Sequence, residues 1–520
     1  MTVPEFRQQD HDQLLAGLVR ALAAATPGGG PQVVRTHIST VILAGPFVYK
    51  LKQPVRLPFL DFSTRAQRRF FCEEELRINW RTAPQLYLDV LPVTGTVDAP
   101  AIDGAGEPVD WLLRMRRFDS EGEFKALAAA GRLRADHVDQ LACHLAEFHQ
   151  RLAPVAPAAA PARDAWHWAA ASLDAIAGHP ARPASCPLHE VAALRAALGA
   201  LFAQQAPLIA QRRAGGFVRE GHGDLHLGNI VAWQGQVMAF DAIEFDADLR
   251  NIDIVNDVAF TFMDLQAAGL PALAWRFINT WAERTGDYEG LVLLRAHAAY
   301  RAIVRAMVAL LSGGDTAGFA TYWSLALCLA QPPATPRLVL TMGLSGSGKS
   351  TVAQILADQL GAVRVRSDTE RKRLHGLQPT DRPAPEAGLY ARDATLRTYA
   401  RLAALAETLL AAGLPVIVDA AFLRQDEREA MRQLAGRLGV PFSLVQCVAS
   451  ESTMLARITA RAQAGADPSD ANAEVLALQQ RVQEPVPGDW APWVHVIVND
   501  GSLGELEGTL GALVAGWRAA

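Results

Sequence analysis

No two cysteines in this chain are spaced to hold a metal or to frame a disulfide scaffold. The five (Cys72, Cys143, Cys186, Cys328, Cys447) are scattered and form no C-x-x-C pair. A zinc ribbon or disulfide-stapled fold is therefore excluded, and reduced thiols, as in a cytosol, are expected. Positive charge is not in excess either: 49 Lys and Arg stand against 54 Asp and Glu, a net −5, with no basic tail or block. That balance speaks against a general polyanion-binding surface, and no nucleic-acid partner is expected. The first residues carry acids and no apolar core, so no signal peptide is expected. Apolar runs of membrane-spanning length are not expected, and the predicted location is cytoplasmic. No internal repeat is visible. What remains is a half-apolar chain of 520 residues, too long for one ordinary core, so two to four domains are expected.

The first chemistry stands at Gly343-Leu344-Ser345-Gly346-Ser347-Gly348-Lys349-Ser350, followed by Thr351. It fits G-x-x-x-x-G-K-[ST], preceded by the strand pattern Leu338-Val339-Leu340-Thr341-Met342 and followed by a helical pattern. Glycines in such a loop let backbone N–H groups cradle phosphates at a helix N-terminus. Lys349 is placed to reach the β/γ-phosphates and the Ser350 hydroxyl to hold Mg²⁺, so ATP and Mg²⁺ are the expected cofactors.

In chain order, a helix over about 11–25 ends in a Pro-Gly breaker. Three short antiparallel strands follow over 33–39, 40–43 and 47–52, then a charged helix over 65–81. Strand patterns recur around 90–93 and 111–115, and from about 121 the chain is helical except over 217–245. The proline-rich run Gln331-Pro332-Pro333-Ala334-Thr335-Pro336 breaks it before the P-loop strand. The expected domains are 1–333, with a small lobe of about 30–118 and a large lobe of about 119–330, and 334–520. In the second, strands and helices alternate as in a parallel α/β domain.

The extended region holds Gly221-His222-Gly223-Asp224-Leu225-His226-Leu227-Gly228-Asn229, and Asp241 follows across a short hairpin. One carboxylate to receive an acceptor hydroxyl's proton, with an amide and a second carboxylate to hold Mg²⁺, is the set that kinase chemistry needs. The stretch resembles the H-G-D-x-x-x-x-N loop of the aminoglycoside phosphotransferase and choline kinase-like families, relatives of the protein kinases, over roughly residues 33–330. The resemblance implies a bilobal α+β fold, Asp224 as catalytic base, Asn229 and Asp241 as metal ligands, and His222 as a buttress. It also implies a nucleotide lysine on the third strand. Lys50 has the right context, with Lys52 on the same side of the strand as the alternative. Its acidic partner is Glu75, with Glu73 and Glu74 as alternatives. The sequence departs from the kinase pattern in having no G-x-G-x-x-G before Lys50; His37-Ile38-Ser39-Thr40 stands there.

Beyond the P-loop, Val363-Arg364-Val365-Arg366-Ser367-Asp368, with Arg371 three residues on, resembles small P-loop kinases such as gluconate kinase. That implies Asp368 activating an acceptor hydroxyl and Arg371 gripping an anionic part of the acceptor. Asp419 ends the strand pattern Val416-Ile417-Val418 as a Walker B acid for Mg²⁺, and Arg457 and Arg461 lie four apart as on a lid helix. Two halves in this order, with Tyr49-Lys50-Leu51-Lys52, Leu57-Pro58-Phe59-Leu60-Asp61-Phe62 and Phe240-Asp241-Ala242-Ile243-Glu244-Phe245, resemble a bacterial family of bifunctional proteins. These join an aminoglycoside phosphotransferase-like half to a P-loop, AAA-type ATP-binding half. The expected function is ATP-dependent phosphoryl transfer to small hydroxyl-bearing acceptors at two sites. The rivals are a binding module coupled to a nucleotide switch, and a nucleic-acid 5′-kinase.

Overall fold

A computed structural model of the chain describes residues 8–26, 30–57, 60–156, 163–313, 315–379, 381, 389, 391–464 and 472–519. Pro58 and Phe59 of the motif at 57–62, and residues 157–162 of an Ala/Pro-rich stretch at 153–163, lie outside the described residues. Two compact units interleave along the sequence: Met1–Trp168 with Gln205–Thr261, and Ala169–Gln204 with Phe262–Ala520. The proline-rich run at 331–336 is where helices give way to the parallel sheet, while the unit holding that sheet also takes in helices from 262 onward.

The first unit is built on a six-stranded antiparallel sheet. Its order is Gln32–Arg35, Ser39–Ala44, Phe47–Lys52, Asp110–Arg116, Tyr87–Gly95, Pro100–Ile102. The three expected strands are present, with the first turn at 36–38, where Thr36 Oγ1 accepts from Ser39 N–H (3.0 Å). Helix Gln8–Ala25 buries Leu14, Leu15, Leu18 and Leu22, at spacings of one to four residues, against Ile42, Leu51, Val93 and Leu112 of the sheet. Helix Arg65–Asn79 starts on a Thr64 cap with Gln67 completing the reciprocal box. The 217–245 region forms the strand Val218–Glu220 and the hairpin Ile230–Trp233/Gln236–Ala239.

The second unit holds a five-stranded, all-parallel sheet ordered Val363–Arg366, Val416–Asp419, Leu338–Met342, Phe442–Val448, Val494–Val498. The first three strands are buried at every residue, as parallel strands covered on both faces must be. The P-loop strand sits centrally, where the order reverses, and ligands of such sheets bind beyond the carboxyl ends at that point.

The five cysteines form no disulfide. Among the described residues one helix, Leu188–Ala214, is long and apolar enough by length and composition to cross a membrane, which corrects the expectation that no run approaches that length. Its buried residues fall on one side: Val191, Leu194, Leu198 and Phe202 are buried at spacings of three and four, and Arg195 pairs with Asp174.

Candidate active sites

In the first unit, strand Phe47–Lys52 points Lys50 toward helix Arg65–Asn79, where Glu75 accepts from Lys50 Nζ and from Lys52 Nζ, both at 2.7 Å. The neighbouring acids are engaged elsewhere. Glu73 pairs with Arg69, and Glu74 with Arg77 and Arg250. Of the two lysines, Lys50 reaches Asp241 (2.7 Å) and lines a cavity of about 790 Å³. Lys52 is fully buried and reaches Glu244 at 2.5 Å. Burial would lower the Lys50 pKa, but Asp241 and Glu75 overcome it and hold the ammonium well above its usual value. Burial would likewise raise the Asp241 carboxyl, and Lys50 holds it below its usual range. The cavity has apolar wall residues in Val41, Val48, Met115, Phe118 and Phe240, and charged ones in Lys50 and Asp241 and in Arg117, Asp119 and Glu123.

Asp241 adopts φ +61°, a left-handed conformation rare outside glycine and often found where function demands it. Its turn is pinned from two sides: Asp241 N–H donates to the Tyr87 hydroxyl (3.1 Å), and Ala242 N–H to Asn79 Oδ1 (2.8 Å). The Asp224 loop lies beside it. Phe240 N–H donates to the Asn229 carbonyl (2.9 Å), and Asn229 Nδ2 donates to Asp224 Oδ2 (2.9 Å). Asp224 and Asn229 do not line the cavity itself. His222 Nδ1 accepts from Asp224 N–H (3.3 Å), so the proton of the neutral ring sits on Nε2, which donates to the Phe240 carbonyl (3.0 Å). Burial lowers its pKa and keeps it neutral.

Asp257 was not found from sequence. It accepts from the His222 and Gly223 backbone N–H groups (2.8 and 2.9 Å) and from His149 Nε2 (3.1 Å), fixing the loop from below. Burial would raise its carboxyl, but those bonds and the His149 charge bring it to about 2. The signal available was an acid amid the apolar residues of Ile254–Ala267.

In the second unit the P-loop wraps a cavity of about 520 Å³ lined by Ser345, Gly346, Gly348, Lys349, Ser350 and Thr351. Gly343, Leu344 and Ser347 stand outside its lining. Gly348 has φ +86°, and a Cβ there would collide with Asn499 Nδ2, which donates to the Ser347 carbonyl (2.9 Å). Asn499 thus staples the loop from the end of the last strand, a role its sequence position did not announce. Lys349 Nζ donates to the Leu344 carbonyl (2.8 Å), and Ser345 N–H to Gln479 Oε1 (2.7 Å). Burial lowers the Lys349 pKa, with Asp419 opposing.

Asp368, Arg371, Asp419, Arg457 and Arg461 line the same cavity, as do Arg366, Tyr399 and Glu427, which sequence reasoning missed. Asp368 opens helix Ser367–Leu374. Arg371 is buried, its Nη1 donating to the Leu389 carbonyl (3.1 Å) and to Thr395 Oγ1 (3.3 Å). Arg457 and Arg461 share helix Glu451–Ala464, and Arg457 Nη1 approaches the Gly346 carbonyl (3.5 Å).

Among the described residues no group of three His, Cys, Asp or Glu could form a metal cage. Mg²⁺ does not need one, because it takes one or two protein oxygens plus phosphate and water. The donors fit that pattern. Asp419 Oδ2 is buried without a hydrogen-bond partner, and Asp419 and Ser350 line the same cavity. At the other site the Asp241 side chain is 45% exposed toward its cavity.

The family model of the AAA domain matches residues 338–486. Among solved structures, a gluconokinase from Sinorhizobium meliloti is similar at 22% identity, covering 35% of this chain and 94% of its own, with a TM-score of 0.27. A choline kinase from Cryptosporidium parvum is similar at 11% identity, covering 60% of this chain and 94% of its own, with a TM-score of 0.38. Over nearly the whole length, the Mycobacterium tuberculosis protein Rv2004c is 30% identical across 500 residues, which cover 94% of this chain and 95% of the relative. The chain belongs to the family of Rv2004c.

Proposed function

We propose that this chain is an ATP-dependent phosphotransferase with two sites, each moving the γ-phosphoryl group to a hydroxyl of a small acceptor. One observation carries the reading. Each unit holds a cavity ending in a lysine beside a carboxylate, Lys50 with Asp241 and Lys349 with Asp368 and Asp419. At the first site the apolar walls take the base, and Lys50, positioned by Glu75, meets the phosphates. Asp224 accepts the proton as the acceptor oxygen bonds to phosphorus and the bond to the ADP oxygen breaks. Asn229 holds Asp224 in line. At the second site the loop amides and Lys349 hold the phosphates, Asp368 takes the acceptor's proton, and Arg457 and Arg461 close over the charge. Arg371 faces an anionic group of the acceptor. Asn229 with Asp241, and Ser350 with Asp419, would hold Mg²⁺, which when bound neutralises phosphate charge.

Labelled ATP and a metabolite mixture, given to wild type, Asp224→Ala and Lys349→Ala, test this. Each variant is expected to lose a different set of labelled products. Unchanged product sets in both would overturn the proposal. Loss of one set alone would reduce it to a single catalytic site.

A further inference from the structure

Helix Pro271–Thr285 lies upstream of the matched AAA domain yet belongs to the same compact unit as the parallel sheet. It runs against the sheet's edge strand, Val363–Arg366. Asn279, 1% exposed, donates through Nδ2 to the Ala362 carbonyl (2.9 Å) and accepts from Arg364 N–H through Oδ1 (2.7 Å). One side-chain amide thus satisfies backbone groups that an edge strand otherwise leaves open.

One turn along the helix, Glu283 accepts from Arg364 Nη2 (2.8 Å), Arg366 Nη1 (3.1 Å) and Thr369 Oγ1 (3.1 Å). Its backbone carbonyl accepts from Arg373 Nη2 (2.6 Å). Burial would raise this carboxyl, and the arginine charges bring it to about 2 instead. Arg366 faces two ways: while Nη1 is on Glu283, Nε stands 3.5 Å from Asp419 Oδ2 at the cavity wall. The contacts of Glu283 therefore bracket Asp368, with Arg366 two residues before it and Thr369 one after.

We infer that Glu283 is a positioning residue of the P-loop site, supplied from outside the P-loop domain. It restrains Arg366 from closing fully onto Asp419, and it sets the turn from which Asp368 projects. Two nearly buried guanidiniums share this one carboxylate, so removing its charge releases both at once. The inference rests on the reading of the P-loop cavity as a phosphotransferase site. It adds that this site is incomplete without helix Pro271–Thr285.

The test uses the full chain and reads Lys349-dependent ATP turnover, the part that Lys349→Ala removes. Glu283→Gln is expected to lower kcat by about 10- to 100-fold, as misplacement of reacting groups does, with KM for ATP within about threefold. Glu283→Asp, which keeps the charge, is expected to recover part of that loss. Arg366→Gln combined with Glu283→Gln is expected to cost less than the two separate losses multiplied, because they act through one contact. A folded Glu283→Gln with wild-type kcat overturns the inference. If Glu283→Gln does not fold, Glu283→Asp decides alone: wild-type kcat overturns the inference, and a lowered kcat at unchanged KM supports it. A chain in which Lys349→Ala removes no turnover fails the underlying reading instead, and the two failures are distinguishable.

Discussion

Lys50 and Lys349 are both part-buried lysines lining a cavity, yet their surroundings leave them in opposite states. Lys50 is flanked at 2.7 Å by Glu75 and by Asp241, which together outweigh desolvation and raise its pKa. Lys349 rests on a backbone carbonyl, and desolvation wins. The first site thus carries its own counterions, and on the proposed reading an entering phosphate meets a lysine already paired with Asp241. The second is a backbone cradle whose lysine donates to a main-chain carbonyl, and on the proposed reading phosphate supplies its counter-charge. Mutually paired side chains contribute to stability as well as to binding, whereas a loop of amides and one lysine serves mainly the ligand.

The largest way to break that contrast is Glu75→Ala. It leaves Lys50 and Lys52 buried with one carboxylate fewer between them, and losing one partner of a buried pair costs about 3–5 kcal/mol. Urea unfolding followed by probes in each unit should show the first unit's midpoint collapse and the second's stay. A uniform shift would mean that the lysine–glutamate array is not local to the first unit. Next comes Lys349→Ala, expected to cut P-loop turnover by about 10²- to 10³-fold, the usual loss for one charge-stabilising group. The melting temperature should barely move. A drop as large as that from Glu75→Ala would erase the distinction between the sites.

Much of this was legible because local pattern and chemistry agreed. The P-loop declares itself by glycines that must take positive φ, and Gly346 and Gly348 do. The Asp224 loop is legible by spacing, since Asn229 five residues on folds back onto it. What was not legible arises from distant pairing. Asn499, Asp257, Asn279 and Glu283 each satisfy backbone or charge on elements far away in sequence, and none sits in a motif. The triplet Glu73-Glu74-Glu75 shows the limit clearly. Its members share a composition and differ only in which face of one helix meets which arginine or lysine.

A third outcome follows from the lysines themselves. Because burial holds Lys349 below its usual value, it loses its proton first as pH rises, and with it the charge that phosphate needs. Lys50, held above the usual value, stays charged longer. Lys349-dependent turnover should therefore fall at lower alkaline pH than Asp224-dependent turnover, measured as KM for ATP against pH in Lys349→Ala and in Asp224→Ala. The reverse order would show that bound nucleotide, rather than the protein's own carboxylates, sets the charge of both lysines.

The smallest expected effect sharpens the comparison most. Glu73 lies two residues from Glu75 within the triplet, but its side chain is half exposed and its partner is Arg69 on the same helix. Exposed i,i+4 pairs contribute about 0.3–0.5 kcal/mol, so Glu73→Ala should move the first unit's midpoint by no more than that and leave Asp224-dependent turnover unchanged. The same substitution at two residues' distance then differs roughly tenfold in free energy, on the figures for buried and exposed pairs. That difference comes from which carboxylate the fold aims at Lys50 and Lys52. If Glu73→Ala approached Glu75→Ala in cost, the glutamates would be acting as a diffuse negative field. The assignment of one acid to the lysine strand would then be wrong.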